Sequence, residues 1–189
     1  MTDTSKVIDF DKRVEELSKS IASVPDFPKE GILFRDITTL LENSNAFKES
    51  IDILYEIYKD SKADCIVAAD ARGFIFGSVL AYKLGISLVL VRKKGKLPRK
   101  TRSVEYSLEY GNSTLEICAD ALKEGQRAIL IDDLLATGGT AKAMVELVKA
   151  AKAQVISFAF IIELFDLGGK KVLNDLGVDV LSLVKFPGH

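Results

Sequence analysis

Apolar and polar residues follow two different spacings along this chain. Apolar residues three and four positions apart predict amphipathic helices, whereas short continuous apolar runs predict strands that are buried on both faces of a sheet. Strands and helices that alternate in this way are typical of an α/β fold, in which a mostly parallel twisted sheet is flanked by helices. The predicted helices are 10–22, 43–60, 73–84, 139–152 and about 167–175, and the predicted extended segments are 32–37, 64–69, 87–92, 104–109, 113–118, 127–132, 154–163 and 178–184.

The whole chain, residues 1–189, is expected to form one domain, because it is long enough for one core and contains no repeat, linker or low-complexity tract. Its mean hydropathy is +0.16 and its net charge is −1. A charge so close to zero creates no general attraction to nucleic acid or to a membrane surface. No apolar run approaches the roughly 18–20 residues of a membrane span. We therefore expect a soluble protein with neither nucleic acid nor membrane as a partner.

The cysteine and histidine content narrows the chemistry further. Cys65 and Cys118 lie in apolar runs without motif spacing, which is typical of buried thiols in a reducing compartment, and the N-terminus has no apolar leader. A cytoplasmic location is therefore expected. The single histidine is His189, which excludes a histidine-based catalytic triad and a zinc site with several histidines.

The residues that carry chemistry concentrate directly after the predicted strand 127–132. In an open α/β sheet, ligands bind at the carboxyl ends of the strands. Two neighbouring carboxylates there need hydroxyl donors or a cation, and a vicinal diol such as that of ribose supplies two donors. Glycines let the backbone approach a ligand, and N–H groups at a helix start suit a phosphate. The carboxylates are Asp132 and Asp133, and the turn that follows is Ala136, Thr137, Gly138, Gly139 and Thr140.

Other interpretations of this turn are possible. A Walker A loop needs Gly-Lys-Ser/Thr, and a dinucleotide fingerprint needs Gly-x-Gly-x-x-Gly; neither is present. A plainer alternative is a strand, a turn and a helix that is capped by Thr137 or Thr140.

The complete run from Arg127 to Ala143 resembles the phosphoribosyl-pyrophosphate (PRPP) signature of type I phosphoribosyltransferases, which is a hydrophobic strand, two aspartates and then small-Thr-Gly-Gly-Thr. The resemblance implies that Asp132 and Asp133 hold the ribose diol and that the loop 136–140 binds the 5′-phosphate. Further matches to adenine phosphoribosyltransferases extend it from about Pro25 to His189, where 162–169 and 186–189 resemble the tail of bacterial-type members without legible chemistry.

The segment 25–36, which reads PDFPKEGILFRD, resembles the base-recognition hood of adenine phosphoribosyltransferases. The resemblance implies that Phe34 stacks on adenine, that the main chain of Leu33 and Arg35 reads the base edge, and that Leu134 also contacts the base. The N-terminal helix and this small hood would together span about 1–37. The alternative is that Phe34 only fills the core.

Arg72 follows the predicted strand 64–69, and its planar guanidinium suits pyrophosphate oxygens. An ion pair with Asp70 is the alternative. The resemblance assigns this loop to pyrophosphate and implies a cis peptide just before Arg72. Ala71 stands where relatives often carry serine, so a hydroxyl contact is absent here.

Seven of the eleven residues from Arg92 to Arg102 are basic. Such a run is commonly a solvated face or a nucleic-acid patch. Together with Tyr-Ser-Leu-Glu-Tyr-Gly at 106–111, it resembles the closing loop of adenine phosphoribosyltransferases. The resemblance implies a mobile loop over about 93–112, in which Lys96 contacts pyrophosphate and Glu109 and Tyr110 lie over the reacting groups.

The implied activity is the conversion of adenine and PRPP, supplied as its Mg²⁺ complex, to AMP and pyrophosphate in purine salvage. Glu109, Arg72 and Lys96 form the implied catalytic set, and Tyr110 joins the residues that bind PRPP and AMP. No direct protein ligand to Mg²⁺ is evident, and a homodimer is expected because the family forms one. Two rivals remain open: the same chemistry on guanine, xanthine or orotate, and a non-catalytic nucleotide-binding regulator of RNA or DNA.

Overall fold

Strands and helices alternate along most of the chain, as the apolar runs predict. The computed structural model describes residues 4–107 and 112–188. The elements in chain order are α1 (Thr4–Lys19), β1 (Ala22–Pro25), β2 (Leu33–Asp36), α2 (Ile37–Glu42), α3 (Ser44–Tyr58), β3 (Cys65–Ala69), α4 (Gly73–Leu84), β4 (Ser87–Lys93), β5 (Thr101–Ser107), β6 (Asn112–Cys118), β7 (Arg127–Leu135), α5 (Gly139–Ala150), β8 (Gln154–Leu164), α6 (Gly169–Asp175) and β9 (Val180–Phe186).

The main sheet has seven strands in the order β5-β6-β4-β3-β7-β8-β9. Five neighbouring strands run parallel to one another, namely β4, β3, β7, β8 and β9. The β5–β6 hairpin pairs with β4 and adds an antiparallel edge. All five residues of β3 are buried, which explains why its sequence is a continuous apolar run instead of an alternating one. The predicted α/β class is therefore confirmed, and β3 and β7, which precede the candidate ligand-binding turns, are direct neighbours.

Helices cover both faces of the sheet. On one face of the sheet, α5 packs against β7 and β8. On the opposite face, α1, α3 and α4 pack against the sheet. Helix α4 lies especially close, because a Cβ on Gly77 would be 2.8 Å from Ala68 Cβ and 2.9 Å from Ile131 Cγ2. At the start of the same helix, a Cβ on Gly73 would be 2.9 Å from Ile131 O and 3.0 Å from Asp132 Oδ1. These glycines bring the N-terminus of α4 directly against the end of β7.

The N-terminal third differs from the periodicity prediction in two respects. The predicted extended segment 32–37 contains β2, and β2 pairs antiparallel with β1, a strand that the pattern missed. The predicted helix 43–60 starts at Ser44, and the chain before it forms the separate helix α2. Asn43 ends one helix and starts the next: its extended backbone breaks the helical path, and its side chain accepts hydrogen bonds from the N–H groups of Asn45 and Ala46.

The predicted closing loop is partly a regular hairpin. Strand β5 starts at Thr101, three residues earlier than predicted, and pairs with β6 from Thr101–Cys118 to Ser107–Asn112. Residues 108–111, at the tip between these strands, lie outside the described residues. Within the described chain, every helix is too short or too polar to traverse a lipid bilayer.

Candidate active site

A cleft of about 810 Å³ opens at the carboxyl ends of β3 and β7. Because these strands are parallel neighbours, the turns that follow them meet at the same edge of the sheet. The predicted site residues that line this cleft are Arg72, Asp132, Asp133, Leu134, Ala136, Thr137, Gly138, Gly139 and Thr140. The structure thus brings together the two motifs that lie about sixty residues apart in the sequence.

The loop 136–140 connects β7 to α5 without a side-chain cap. Gly138 is the N-cap of α5, has φ 89° and makes no capping hydrogen bond through a side chain. The alternative in which Thr137 or Thr140 caps the helix is therefore wrong. Of the two glycines, only Gly138 adopts a positive φ, whereas Gly139 already belongs to the helix. The first N–H groups of α5 have no side-chain cap, and they face the cleft as donors for an anion.

The turn between β8 and α6 supports this loop from behind. The N–H group of Gly169 donates to the carbonyl oxygen of Ala136 at 3.0 Å. A Cβ on Gly169 would lie 2.2 Å from that oxygen, and a Cβ on Gly138 would lie 3.0 Å from Gly169 Cα. The Gly168–Gly169 pair was visible in the sequence, but only the close approach of the two turns reveals its use.

The two carboxylates of the acid pair, Asp132 and Asp133, accept hydrogen bonds from different donors. Asp133 is buried, and its Oδ2 accepts from Arg72 Nε at 2.5 Å. Asp132 Oδ1 accepts from the backbone N–H of Asp133 at 2.8 Å. Asp70 instead pairs with Arg92, at 3.1 Å. The alternative of an Asp70–Arg72 ion pair is therefore wrong: Arg72 is held across the β3–β7 junction by the acid pair. The Asp70–Ala71 peptide bond in the preceding loop is cis.

Burial raises the pKa of Asp132 well above its ordinary value, and the negative charge of Asp133 raises it further. The pKa of Asp36, at the end of β2, is lowered by hydrogen bonds from Thr38 and also by the positive charge of Arg72. The end of β2 is therefore close enough to the cleft for the positive charge of Arg72 to act on Asp36. The cleft therefore contains one ion pair, between Arg72 and Asp133, and one carboxylate, that of Asp132, whose charged form is costly.

The basic segment contributes Lys93, which the sequence analysis did not single out, to the cleft. Lys96 is exposed and does not line the cleft, whereas Lys93, the last residue of β4, does. The turn after Lys93 is pinned, because Gly95 N–H donates to Glu116 Oε2 at 2.9 Å. Periodicity could have singled out Lys93, since it ends a strand beside β3, but seven basic residues in one run obscured that signal.

Tyr106 is a second cleft residue that the sequence reasoning missed. Its hydroxyl accepts from Thr140 Oγ1 at 3.4 Å, so it links the β5–β6 hairpin to the phosphate loop. Tyr106 stands in the Tyr-Ser-Leu-Glu-Tyr-Gly motif, in which only Glu109 and Tyr110 were singled out. Glu109 and Tyr110 themselves lie outside the described residues.

The predicted adenine-binding residues of β2 lie outside the lining of the cleft. Phe34 is half-buried and packs edge-to-face on Phe27, with ring centroids 5.1 Å apart. Phe34 belongs to neither side of the core, which argues against the alternative that it is only a core residue. Arg35 is buried, and Leu33 is half-buried. The fourth predicted residue, Leu134, lines the cleft next to the acid pair.

The described residues contain no group of three or more His, Cys, Asp or Glu side chains that is placed to hold a metal ion. The carboxylates of the cleft nevertheless supply oxygens, which are the ligands that Mg²⁺ prefers.

A parallel sheet with a glycine-containing loop and an acid pair after one strand, and an arginine after its neighbour, is the arrangement expected of a phosphoribosyltransferase. The family model of the phosphoribosyl transferase domain matches residues 36–185 of this sequence. Adenine phosphoribosyltransferase from Agrobacterium fabrum is 52% identical over 174 residues, which cover 92% of this chain and 97% of that protein. The chain therefore belongs to the adenine phosphoribosyltransferase family, as its motifs predict.

Two solved structures support the same assignment. The crystal structure of adenine phosphoribosyltransferase from Thermoanaerobacter pseudethanolicus is 50% identical, has a TM-score of 0.87, and is matched over 92% of this chain and 99% of that one. The enzyme from Saccharomyces cerevisiae, complexed with D-2,5-dideoxy-2,5-imino-altritol 1,6-bisphosphate and adenine, is 38% identical with a TM-score of 0.85, over 92% and 99% of the two chains.

The raised pKa of Asp132 predicts a pH-dependent gain in stability from Asp132→Asn. In the unfolded chain this carboxyl ionises near its ordinary pKa, so the folded state loses stability as the pH rises from that value to the raised folded pKa. The substitution removes this loss. At pH 8 the melting temperature should rise by about 2–4 °C, which is the effect of roughly 1 kcal/mol in a domain of this size.

Thermal melts between pH 4 and pH 8 test this expectation. The gain should shrink toward the acid end, because near pH 4 the Asp132 carboxyl is only about half ionised in the unfolded chain, so little stability is lost there. Asp120→Asn, which changes an exposed aspartate in a surface ion pair, is the matched control and should show no such trend. A gain that is independent of pH would show that the charge of Asp132 is not the cause.

Proposed function

We propose that this protein uses the cleft to transfer the phosphoribosyl group of PRPP to adenine, giving AMP and pyrophosphate in purine salvage. The observation that carries the proposal is the meeting of three features at one sheet edge: an uncapped helix N-terminus, an acid pair and an arginine. PRPP carries a 5′-phosphate, a ribose diol and a pyrophosphate, and each feature suits one of these groups. We assign the loop 136–140, Asp132 with Asp133, and Arg72 to them in that order.

The reaction replaces pyrophosphate by the adenine N9 at the anomeric carbon of ribose. The C1′–O bond to pyrophosphate breaks, the C1′–N9 bond forms, and the N9 proton must leave. By analogy with glycoside cleavage, the transition state has oxocarbenium character. Asp132 and Asp133 provide negative potential beside that cation, and Arg72 stabilises the departing pyrophosphate. Ionisation of Asp132 against its raised pKa is helped by the hydroxyl donors of the bound ribose.

Adenine recognition is assigned to Leu33, Phe34 and Arg35 of β2 together with Leu134. The aromatic ring of Phe34 lies outside the core, which leaves it free to stack on a base. Hydrogen bonds from Thr38 and, to a smaller extent, the charge of Arg72 lower the pKa of Asp36, the last residue of β2, which supports a position of this strand near the cleft. The yeast enzyme, which shares 38% identity with this chain, was solved with adenine bound.

Glu109, Tyr110 and Lys96 are assigned to the closing segment 93–112. Glu109 would take or orient the N9 proton, and no histidine is available within the sequence before its last residue. Lys96 would contact pyrophosphate together with Lys93, which already lines the cleft. The Tyr106–Thr140 contact connects this segment to the loop 136–140. Binding of the 5′-phosphate at the loop would therefore be transmitted to the β5–β6 hairpin.

The metal, the assembly and the location complete the proposal. Mg²⁺ would arrive as part of the PRPP complex, with diphosphate, ribose and water oxygens as most of its ligands. A homodimer is favoured by helix α4, where Ile75, Val79 and Tyr82 share one face and Tyr82 is 86% exposed. Both cysteines are free and buried, which is consistent with a cytoplasmic protein; fractionation of the source cells checks the location.

A turnover assay with radiolabelled PRPP and a panel of adenine, guanine, xanthine and orotate tests the function. We expect a labelled nucleotide only with adenine. Glu109→Gln keeps the size of the side chain but removes its basic oxygen, so kcat should fall about 10²-fold, the low end for acid–base assistance. Its affinity for PRPP should change little. Nucleotide binding without turnover in the unmodified protein would instead favour a non-catalytic regulator.

Phe34→Ala tests the stacking assignment. Stacking in nucleic-acid sites contributes about 1–3 kcal/mol per base, so the KM for adenine should rise correspondingly while the KM for PRPP is nearly unchanged. Phe10→Ala, which removes an exposed phenylalanine ring from α1, is the control. A variant that loses thermal stability but keeps its KM for adenine would show that Phe34 serves packing only.

Sedimentation equilibrium tests the homodimer, which should have twice the chain mass of 20.7 kDa. Tyr82→Glu places a charge on the exposed face of α4 and should shift the equilibrium toward monomer. Phe10→Glu is the corresponding change on α1. An unmodified protein that sediments as a monomer at micromolar concentration contradicts the assembly.

A further inference from the structure

The hood, defined as β1 and β2, is poorly anchored by apolar contacts. A two-stranded sheet has little stability by itself. All four residues of β1 are exposed, and Arg35 is the one buried residue in β2. A charged side chain therefore occupies the position at which a strand ordinarily buries an apolar residue. The contacts of Arg35 therefore hold the hood, together with a hydrogen bond from the Ala22 N–H group to Thr39 Oγ1 of α2 at 3.0 Å.

The guanidinium of Arg35 reaches the end of the chain. Arg35 is 8% exposed, and its Nη2 donates to the carbonyl oxygen of Pro187 at 3.3 Å. Its Cζ lies 4.5 Å from the centroid of the Phe186 ring. Nη1 donates to the hydroxyl of Ser23 in β1, so the same side chain ties both hood strands together. Nε is buried without a hydrogen-bond partner among the described residues. A buried guanidinium that is already short of one partner depends strongly on those that remain.

The C-terminal tail, defined as residues 186–188, also contacts the cleft side of the molecule. Phe165 N–H donates to the carbonyl oxygen of Phe186 at 3.1 Å, and Gly188 N–H donates to Asp166 Oδ1 at 2.7 Å. Gly188 packs tightly, because a Cβ there would be 2.8 Å from Leu167 Cγ. Leu167 lines the cleft, and two residues later Gly169 supports the phosphate loop. The tail thus lies between the hood and the turn behind the phosphate loop.

We infer that Arg35 and the C-terminal tail form a positioning device for base recognition. Neighbouring residues on a strand point to opposite faces. When the tail holds Arg35 on one face of β2, it thereby sets the height and angle of Phe34 on the other. Arg35 is a positioning residue in this scheme, since its side chain acts on the base only through the hood. The inference rests on the proposed function, in which Phe34 stacks on adenine.

A double-mutant cycle between Arg35→Met and deletion of 187–189 tests the device. Each change removes the same connection, so each should raise the KM for adenine about tenfold or more, the range for a lost charge-assisted hydrogen bond. In Arg35→Met the KM for PRPP should stay within about twofold, and for adenine the double variant should be no worse than the more affected single variant. Arg13→Met is the matched control, because Arg13 is also a largely buried arginine that joins two elements, α1 and α3.

Hydrogen exchange of the segment 22–36 provides a readout that does not need activity. Exchange should accelerate in Arg35→Met and in the deletion, and it should be unchanged in the Arg13→Met control. If the unmodified protein fails to use adenine, the proposed function fails, whereas hood exchange still decides whether the tail holds the hood.

Three results would overturn the device: equal increases in both KM values, additive effects in the double variant, or unchanged hood exchange. Should the deletion prevent folding, Gly188→Ala replaces it, because the added Cβ displaces the tail from Leu167 without shortening the chain.

Discussion

The side-by-side pairing of β3 and β7 is the constraint on which the rest of the site depends. It brings Arg72, at the end of one strand, within 2.5 Å of Asp133, at the end of the other. The pairing needs a close helix on the same face, and α4 achieves this through Gly73 and Gly77, at which any side chain would meet β7. Residues without reactive groups thus determine where the reactive groups meet.

The electrostatics of the cleft follow from this packing. Two adjacent carboxylates at the end of a buried strand are costly. Arg72 forms an ion pair with Asp133, whereas for Asp132 the effect of its charge is smaller than the effect of burial. Asp132 therefore has a raised pKa, and its charged form lowers the stability of the fold. Such a loss of stability is common at sites that proteins use for activity.

The hood is the least self-sufficient part of the fold. Its two four-residue strands pair outside the main sheet, and its buried side chain is a guanidinium that contacts the far end of the chain. The same tail touches the turn behind the phosphate loop. The hood and the loop 136–140 therefore share a support, although neither contributes a residue to the other.

The sequence by itself determined the elements whose signals are local. The strand β7, its acid pair and the turn into α5 are contiguous, so apolar periodicity, carboxylates and small residues identified them together. The parallel α/β class followed from the alternation of strands and helices. The helix start at Asn43 was also a local signal, a capping side chain, whereas the six-residue helix α2 before it was too short to show a periodicity.

Only the tertiary structure decided the features that join distant residues. Strand β1 has four exposed residues and so carries no periodicity. The choice of Asp133 over Asp70 as the partner of Arg72, and of Lys93 over Lys96 as a cleft residue, depends on strand order and register. Arg35 and Pro187 are 152 positions apart, and their contact exists because β9 ends beside the hood. A single sequence records which groups are present, whereas distances between remote groups arise only when the whole sheet has formed.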